Sequence, residues 1–144
     1  MRLIGRPPIG LWAYAIGKLS VLGCWVALVV RPFWPDIAWY QSPKLDLLGA
    51  ALLGMGVLLM AAGGVNLGSS LRVGLPTERT ALKTGGVYKY TRNPMYVGGL
   101  LTCLAGVAWT ANPMILVLSV VAAIVHHRIV LAEERYLAAE FGDA

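Results

Sequence analysis

The sequence predicts an all-α, polytopic membrane helical bundle with four transmembrane helices and a C-terminal cytoplasmic helical extension. Three observations carry this expectation. First, 58% of the 144 residues are hydrophobic, only 13% are charged, and the mean hydropathy is +0.68, whereas soluble domains carry about a quarter charged residues. Second, the apolar residues fall into runs long enough to cross a bilayer, each closed by charge or proline. Third, the basic residues behind the net charge of +5 flank these runs rather than forming a separate basic domain, which points to membrane orientation and away from nucleic acid. The length fits one membrane domain, residues 1–144, in which any site is shared between helices.

The first span is expected over residues 11–30. Arg2 and Arg6 precede it, Arg31, Pro32 and Pro35 end it, and no convincing small-residue cleavage site marks it as a removable signal peptide. Lys18 lies inside it. An ionisable residue in a span is a functional candidate by default, and a long stem that snorkels to the nearer interface is the blander and favoured account. The second span, residues 45–68, begins after Lys44 and is rich in glycine (Gly49, Gly54, Gly56, Gly63, Gly64), which allows close helix approach in lipid. Residues 69–93 form a polar loop carrying Arg72, Glu78, Arg79, Lys83, Lys89 and Arg92, with turn signals at Gly74, Pro76 and Gly85-Gly86. Residues 94 to 125 carry no charge, too long for one helix and too short for two with a generous loop. A tight turn at Ala111-Asn112-Pro113 divides this run into spans 94–111 and 113–131, and residues 132–144 follow as the cytoplasmic end. Cys24 and Cys103 read as buried apolar thiols.

Basic residues gather before the first span, in the central loop and after the last span, while the other side has only Arg31 and Lys44. The positive-inside rule therefore expects both termini and the central loop in the cytoplasm, the arrangement that four spans require. The localisation expected is a multi-pass protein of a bacterial inner membrane, or of the endoplasmic reticulum in a eukaryote.

Equal counting from Asn112 down two antiparallel helices sets Asn93 level with Leu131, and Tyr88 with Tyr136. The Arg92-Asn93-Pro94 start of the third helix then lies beside Glu133 and Glu134. Asn93 suits an N-cap and Pro94 the first helical position, and the free N–H groups there receive an anion, reinforced by Arg92. The plain alternative is a capped helix with Arg92 facing lipid phosphates. Tyr96 shares the Asn93 face by its i, i+3 spacing. Gly98 removes a side chain one turn on, with close packing as its blander reading. Glu133 and Glu134 point about 100° apart on a helix of 3.6 residues per turn, so one is expected in the site and the other towards water or Arg135. His126 lies on the Glu133 stripe. The adjacent His126 and His127 diverge, and no metal site is expected. Carboxylates, an arginine, tyrosines and a helix start suit a small zwitterion bearing amino and carboxylate groups. The sequence has no glycine-rich dinucleotide fingerprint.

The segment LKTGGVYKYTRNPMYVGG, followed after the apolar hairpin by EERYLAAEFG, resembles the membrane methyltransferase family of isoprenylcysteine carboxyl methyltransferases and phospholipid N-methyltransferases. The pattern of that family is Arg-His-Pro-x-Tyr-x-Gly and then a Glu-Glu pair before Phe-Gly, and the match runs from about Leu82 to Gly142. The resemblance implies S-adenosyl-L-methionine as cofactor, bordered by Arg92, Asn93, Pro94, Tyr96, Gly98, Glu133 and Glu134, with Tyr88 and His126 nearby. Arg92 is the candidate catalytic residue, and Arg72 of the central loop could orient an acidic acceptor. Asn93 stands where the family has histidine, and an amide cannot shuttle a proton. Relatives continue past the Phe-Gly with a tyrosine-rich tail, so a cofactor wall beyond Phe141-Gly142 is an open expectation.

The expected function is methyl transfer at the membrane to a lipophilic or lipid-anchored acceptor that enters from the bilayer, isoprenylcysteine carboxyl methyltransferase-like, with membrane lipids as surroundings. A phosphatidylethanolamine amine or a small thiol is the alternative acceptor. The non-enzyme alternative is a small four-helix multidrug-type transporter, for which Lys18, well inside the first span, is the candidate ionisable coupling residue.

Overall fold

The computed structural model describes residues 7–68 and 85–141. Within them the chain forms four α-helices and no strand: α1 (Leu11–Val30), α2 (Pro43–Leu67), α3 (Pro94–Thr110) and α4 (Pro113–Phe141). Short 3-10 turns occupy Pro35–Ile37 and Gly86–Lys89. Proline opens three of the four helices, where its missing N–H costs nothing. Three helices, α1, α2 and α4 over Pro113–Ala139, are long and apolar enough to cross a membrane. α3 is apolar but has 17 residues, roughly 25 Å at 1.5 Å per residue against about 30 Å of hydrocarbon. Helices α1, α2 and α3 begin and end within two residues of the apolar runs 11–30, 45–68 and 94–111, and α4 continues without a break past Leu131 to Phe141.

The turn between α3 and α4 lies at Ala111-Asn112, where the sequence puts it. Ala111 ends α3 in the left-handed region at φ 44°. Asn112 Oδ1 accepts from the N–H of Met114 at 2.9 Å, and its Nδ2 donates to the carbonyl of Ile37 at 3.0 Å. Around this end, Arg31 pairs with Asp46 and donates from Nε to the Trp109 carbonyl at 2.9 Å, while Trp109 Nε1 donates to the Asp46 carbonyl at 2.9 Å. These bonds tie the end of α1, the start of α2 and the end of α3, and satisfy carbonyls that lipid could not.

α3 packs on α1, α2 and α4, and α1 also packs on α4. Most buried apolar positions are small, Cys24, Ala27, Cys103, Ala105, Ala108 and Ala122, with Ile115 and Ile129 the larger ones. Large apolar side chains such as Leu19, Val29, Leu58, Val65 and Val117 are exposed, the pattern of a bundle whose solvent is lipid and whose interfaces rest on close backbone approach. At the α2–α3 crossing, a Cβ built on Gly98 would come within 2.6 Å of the Gly56 carbonyl oxygen. Between α1 and α3, Trp25 Nε1 donates to Thr102 Oγ1 at 2.8 Å. Cys24 and Cys103 are buried free thiols.

Candidate functional site

At the opposite end of the bundle from Asn112, the start of α3 meets the later turns of α4. Tyr96 Oη donates to Glu133 Oε1 at 2.7 Å, and Asn93 Nδ2 donates to Glu134 Oε1 at 3.4 Å. Both acids therefore face α3, which corrects the expectation that one would turn to water or Arg135: α3 seats over the groove between the two divergent directions and supplies a donor for each. The partners also sit further along α4 than equal counting places them, since Glu134 is three residues past Leu131. Side chains on a helix tilt towards its own N-terminus, so the α4 carboxylates reach back into the bundle while Tyr96 leans outwards to meet them.

Asn93 occupies the N-cap position of α3, but its side chain makes no capping hydrogen bond. The amide is committed to Glu134, and the first-turn N–H groups of α3 receive no side-chain cap, leaving their positive dipole end available to an anion. Pro94 is buried, and a Cβ on Gly63 would lie 3.2 Å from its ring. Gly98 faces Gly56 and Met60 of α2 rather than Glu133, so its place is in the helix crossing that holds Tyr96 at the right height. Arg92 is exposed, and among the described residues it joins no ion pair. Arg72 lies outside the described residues.

Tyr96 gathers more than Glu133. The His126 ring lies 5.6 Å from the Tyr96 ring, tilted at 57°. His126 is 6% exposed, and its Nδ1 is 2.8 Å from the Ala122 carbonyl. A carbonyl only accepts, so Nδ1 carries the proton, and in the neutral ring Nε2 keeps its lone pair. From α1, Lys18 Nζ stands 5.5 Å from the Tyr96 ring centroid and 5.2 Å from that of Tyr14. Lys18 therefore leans towards the nearer expected interface, in keeping with a snorkelling stem, and turns inwards over α3 on the way. Gly17 allows this, because any side chain there would overlap Val125 on α4.

Tyr88, on the 3-10 turn Gly86–Lys89, donates to the Gly63 carbonyl at 3.5 Å. Burial, and secondarily the Glu133 charge, raise its phenol above the ordinary value, so it is a neutral donor and an apolar wall. Gly86 has φ 64° and sits on the Asn66 amide, where a Cβ has no room.

Sequence reasoning brought Tyr88, Asn93, Tyr96, His126, Glu133 and Glu134 to one end of the fold and missed Tyr14 and the inward turn of Lys18. Their i, i+4 spacing on α1 was the available signal. No curated protein and no solved structure matches the chain. The family profile described as Phospholipid methyltransferase matches residues 45–144, a stretch that contains α2 from Leu45 on, all of α3 and α4, and every donor and acceptor pair between α3 and the two glutamates. On that match, which takes in well over half of the sequence, the chain belongs to the phospholipid methyltransferase family of membrane methyltransferases.

Proposed function

We propose that the protein is an S-adenosyl-L-methionine-dependent methyltransferase that works at the membrane surface on a lipophilic acceptor entering from the bilayer. The observation that carries this reading is the joining of α3 and α4 through Tyr96–Glu133 and Asn93–Glu134. Two carboxylates, a helix start without a side-chain cap and aromatic side chains are thereby neighbours, which supports the reading. That donor set fits the cofactor: Glu133 and Glu134 suit its cationic groups, the α3 N–H groups with Arg92 suit its carboxylate, and Tyr88, Tyr96 and His126 supply walls. When bound, S-adenosylmethionine supplies an electrophilic methyl group. Tyr96 holds Glu133 in one direction, and the packed glycines of α2 and α3 fix the height of Tyr96. Positioning and exclusion of water then provide most of the rate.

In this reading the chain is one membrane domain of four spans, with α3 crossing as a short helix, both termini and the central loop cytoplasmic, and the end of α4 emerging at the cytoplasmic surface. The distribution of basic residues supports it. The family description favours a phospholipid amine as acceptor, and the resemblance to isoprenylcysteine carboxyl methyltransferases keeps a lipophilic carboxylate as the alternative. The test is incubation of membranes containing the protein with methyl-labelled S-adenosylmethionine. Label is expected in the lipid-extractable fraction, reduced at least tenfold by Glu133→Gln. Absence of labelled lipid product with the parent protein, across amine, carboxylate and thiol acceptors, would overturn the reading.

A further inference from the structure

Lys18 is a charge for which the cofactor reading has no use. It is the only charged residue of α1, seven residues in from Leu11, or roughly 10 Å along the axis at 1.5 Å per residue. A lysine at such depth is costly unless its ammonium is met. Two tyrosine faces meet it, from Tyr14 and Tyr96, and a cation is attracted to the electron-rich face of an aromatic ring. Faces, however, supply no acceptor atom for the three N–H donors of an ammonium. Among the described residues the one ion pair is Arg31–Asp46, at the far end of the bundle. Tyr96 Oη donates its hydrogen bond to Glu133, and the Glu133 charge acts on Lys18 from a distance without closing an ion pair. The Tyr96 ring thus stands between an anion at its hydroxyl and a cation at its face. The Glu133 side suits the positive groups of the cofactor, and the Lys18 side, deeper in α1, is left to the molecule that arrives through the bilayer.

We propose that Lys18 reads the charge of the methyl acceptor: its ammonium, steadied over Tyr14 and Tyr96, receives an anionic oxygen carried by the acceptor, a phosphodiester or a carboxylate. Lipophilic molecules whose only charge is positive are turned away. This rests on the methyltransferase reading above and narrows its acceptor to one that brings an anion beside the group to be methylated. Lys18 is a specificity-determining residue in this account, and the methyl never passes through it.

The test begins without cofactor. Full-length protein in dodecyl maltoside, which carries no charge, is titrated with hexadecyl phosphate and with hexadecylamine. The parent is expected to bind the phosphate at least tenfold more tightly than the amine, Lys18→Arg to keep that preference within threefold, and Lys18→Met and Lys18→Gln to lose it. Two kinetic arms then separate the sources of the anion, one with phosphatidylethanolamine and one with an S-alkylated cysteine carboxylate. In the arm that the parent methylates, Lys18→Met is expected to raise KM at least tenfold with kcat within threefold, while its affinity for S-adenosylhomocysteine stays within twofold. Equal binding of phosphate and amine by the parent, or unchanged KM in variants that melt like the parent, would overturn the proposal. Failure of the parent to bind S-adenosylhomocysteine would overturn the methyltransferase reading instead, and the phosphate preference would then decide the role of Lys18 by itself.

Discussion

Tyr96 on α3 donates its hydroxyl to the Glu133 carboxylate on α4 at 2.7 Å, and this bond joins the two halves of the charged end of the molecule. A hydrogen bond to a charged group contributes about 1.5–3 kcal/mol in water-soluble proteins, and polar contacts between membrane helices average nearer 0.6 kcal/mol. Tyr96→Phe and Glu133→Gln should each lower stability by about 1 kcal/mol. Because the two groups share one bond, the double variant should lose clearly less than the sum. Unfolding of the four proteins in one detergent measures the coupling, and strict additivity would show that the two groups act separately.

The α2–α3 crossing makes a sharper pair of substitutions. A Cβ on Gly98 would meet the Gly56 carbonyl oxygen at 2.6 Å and the Met60 side chain at 2.7 Å, whereas one on Gly99 meets nothing within 4 Å. Gly98→Ala should therefore destabilise by about 1–3 kcal/mol through overpacking against a backbone that cannot move aside. Gly99→Ala should be neutral or slightly stabilising, since alanine is the better helix former. Melting temperatures of the two variants, one position apart, test the crossing directly, and equal shifts would contradict it.

Ala111 ends α3 with φ 44°, a conformation that costs an L-residue roughly 1–2 kcal/mol and glycine little. Replacement by glycine loses some of this gain to the greater freedom of the unfolded chain. Ala111→Gly is expected to stabilise by about 0.5–1 kcal/mol, visible as a raised melting temperature; a lowered one would place the turn elsewhere.

Burial and the Glu133 charge raise the Tyr88 phenol above its ordinary value of 10.0. The folded state then holds this proton more tightly than the unfolded chain does. The contribution to stability is complete below about pH 10 and is lost as pH rises through the folded value. In alkaline titration followed by tyrosinate absorbance, the component removed by Tyr88→Phe should have its midpoint above 10, and Glu133→Gln should move it down. A midpoint at the ordinary value would mean that Tyr88 faces open water.

Much of this arrangement was legible because the charge-free run from Pro94 to Val125 has prolines where helices start and one strong turn signal between them. Those features located the α3–α4 hairpin, and with it the meeting of Asn93 and Tyr96 with the glutamates. Counting along axes did not capture the tilt of side chains towards their own N-termini, and so it set Glu134 three residues short of its partner. Hydropathy says that Lys18 is inside a span but not which way it turns, because that direction depends on Gly17 letting α1 settle against Val125. The facing of Gly98 was equally hidden: a glycine gives close approach without naming the helix that approaches.

The central claim is that the start of α3 and the two acids of α4 form one cofactor site, and calorimetric titration of purified protein with S-adenosylhomocysteine tests it most directly. The account predicts binding by the parent, at least tenfold weaker binding in Glu133→Gln, and affinity within twofold of the parent in Gly99→Ala. No binding at millimolar ligand, or a Glu133→Gln variant that binds as tightly as the parent, would contradict it.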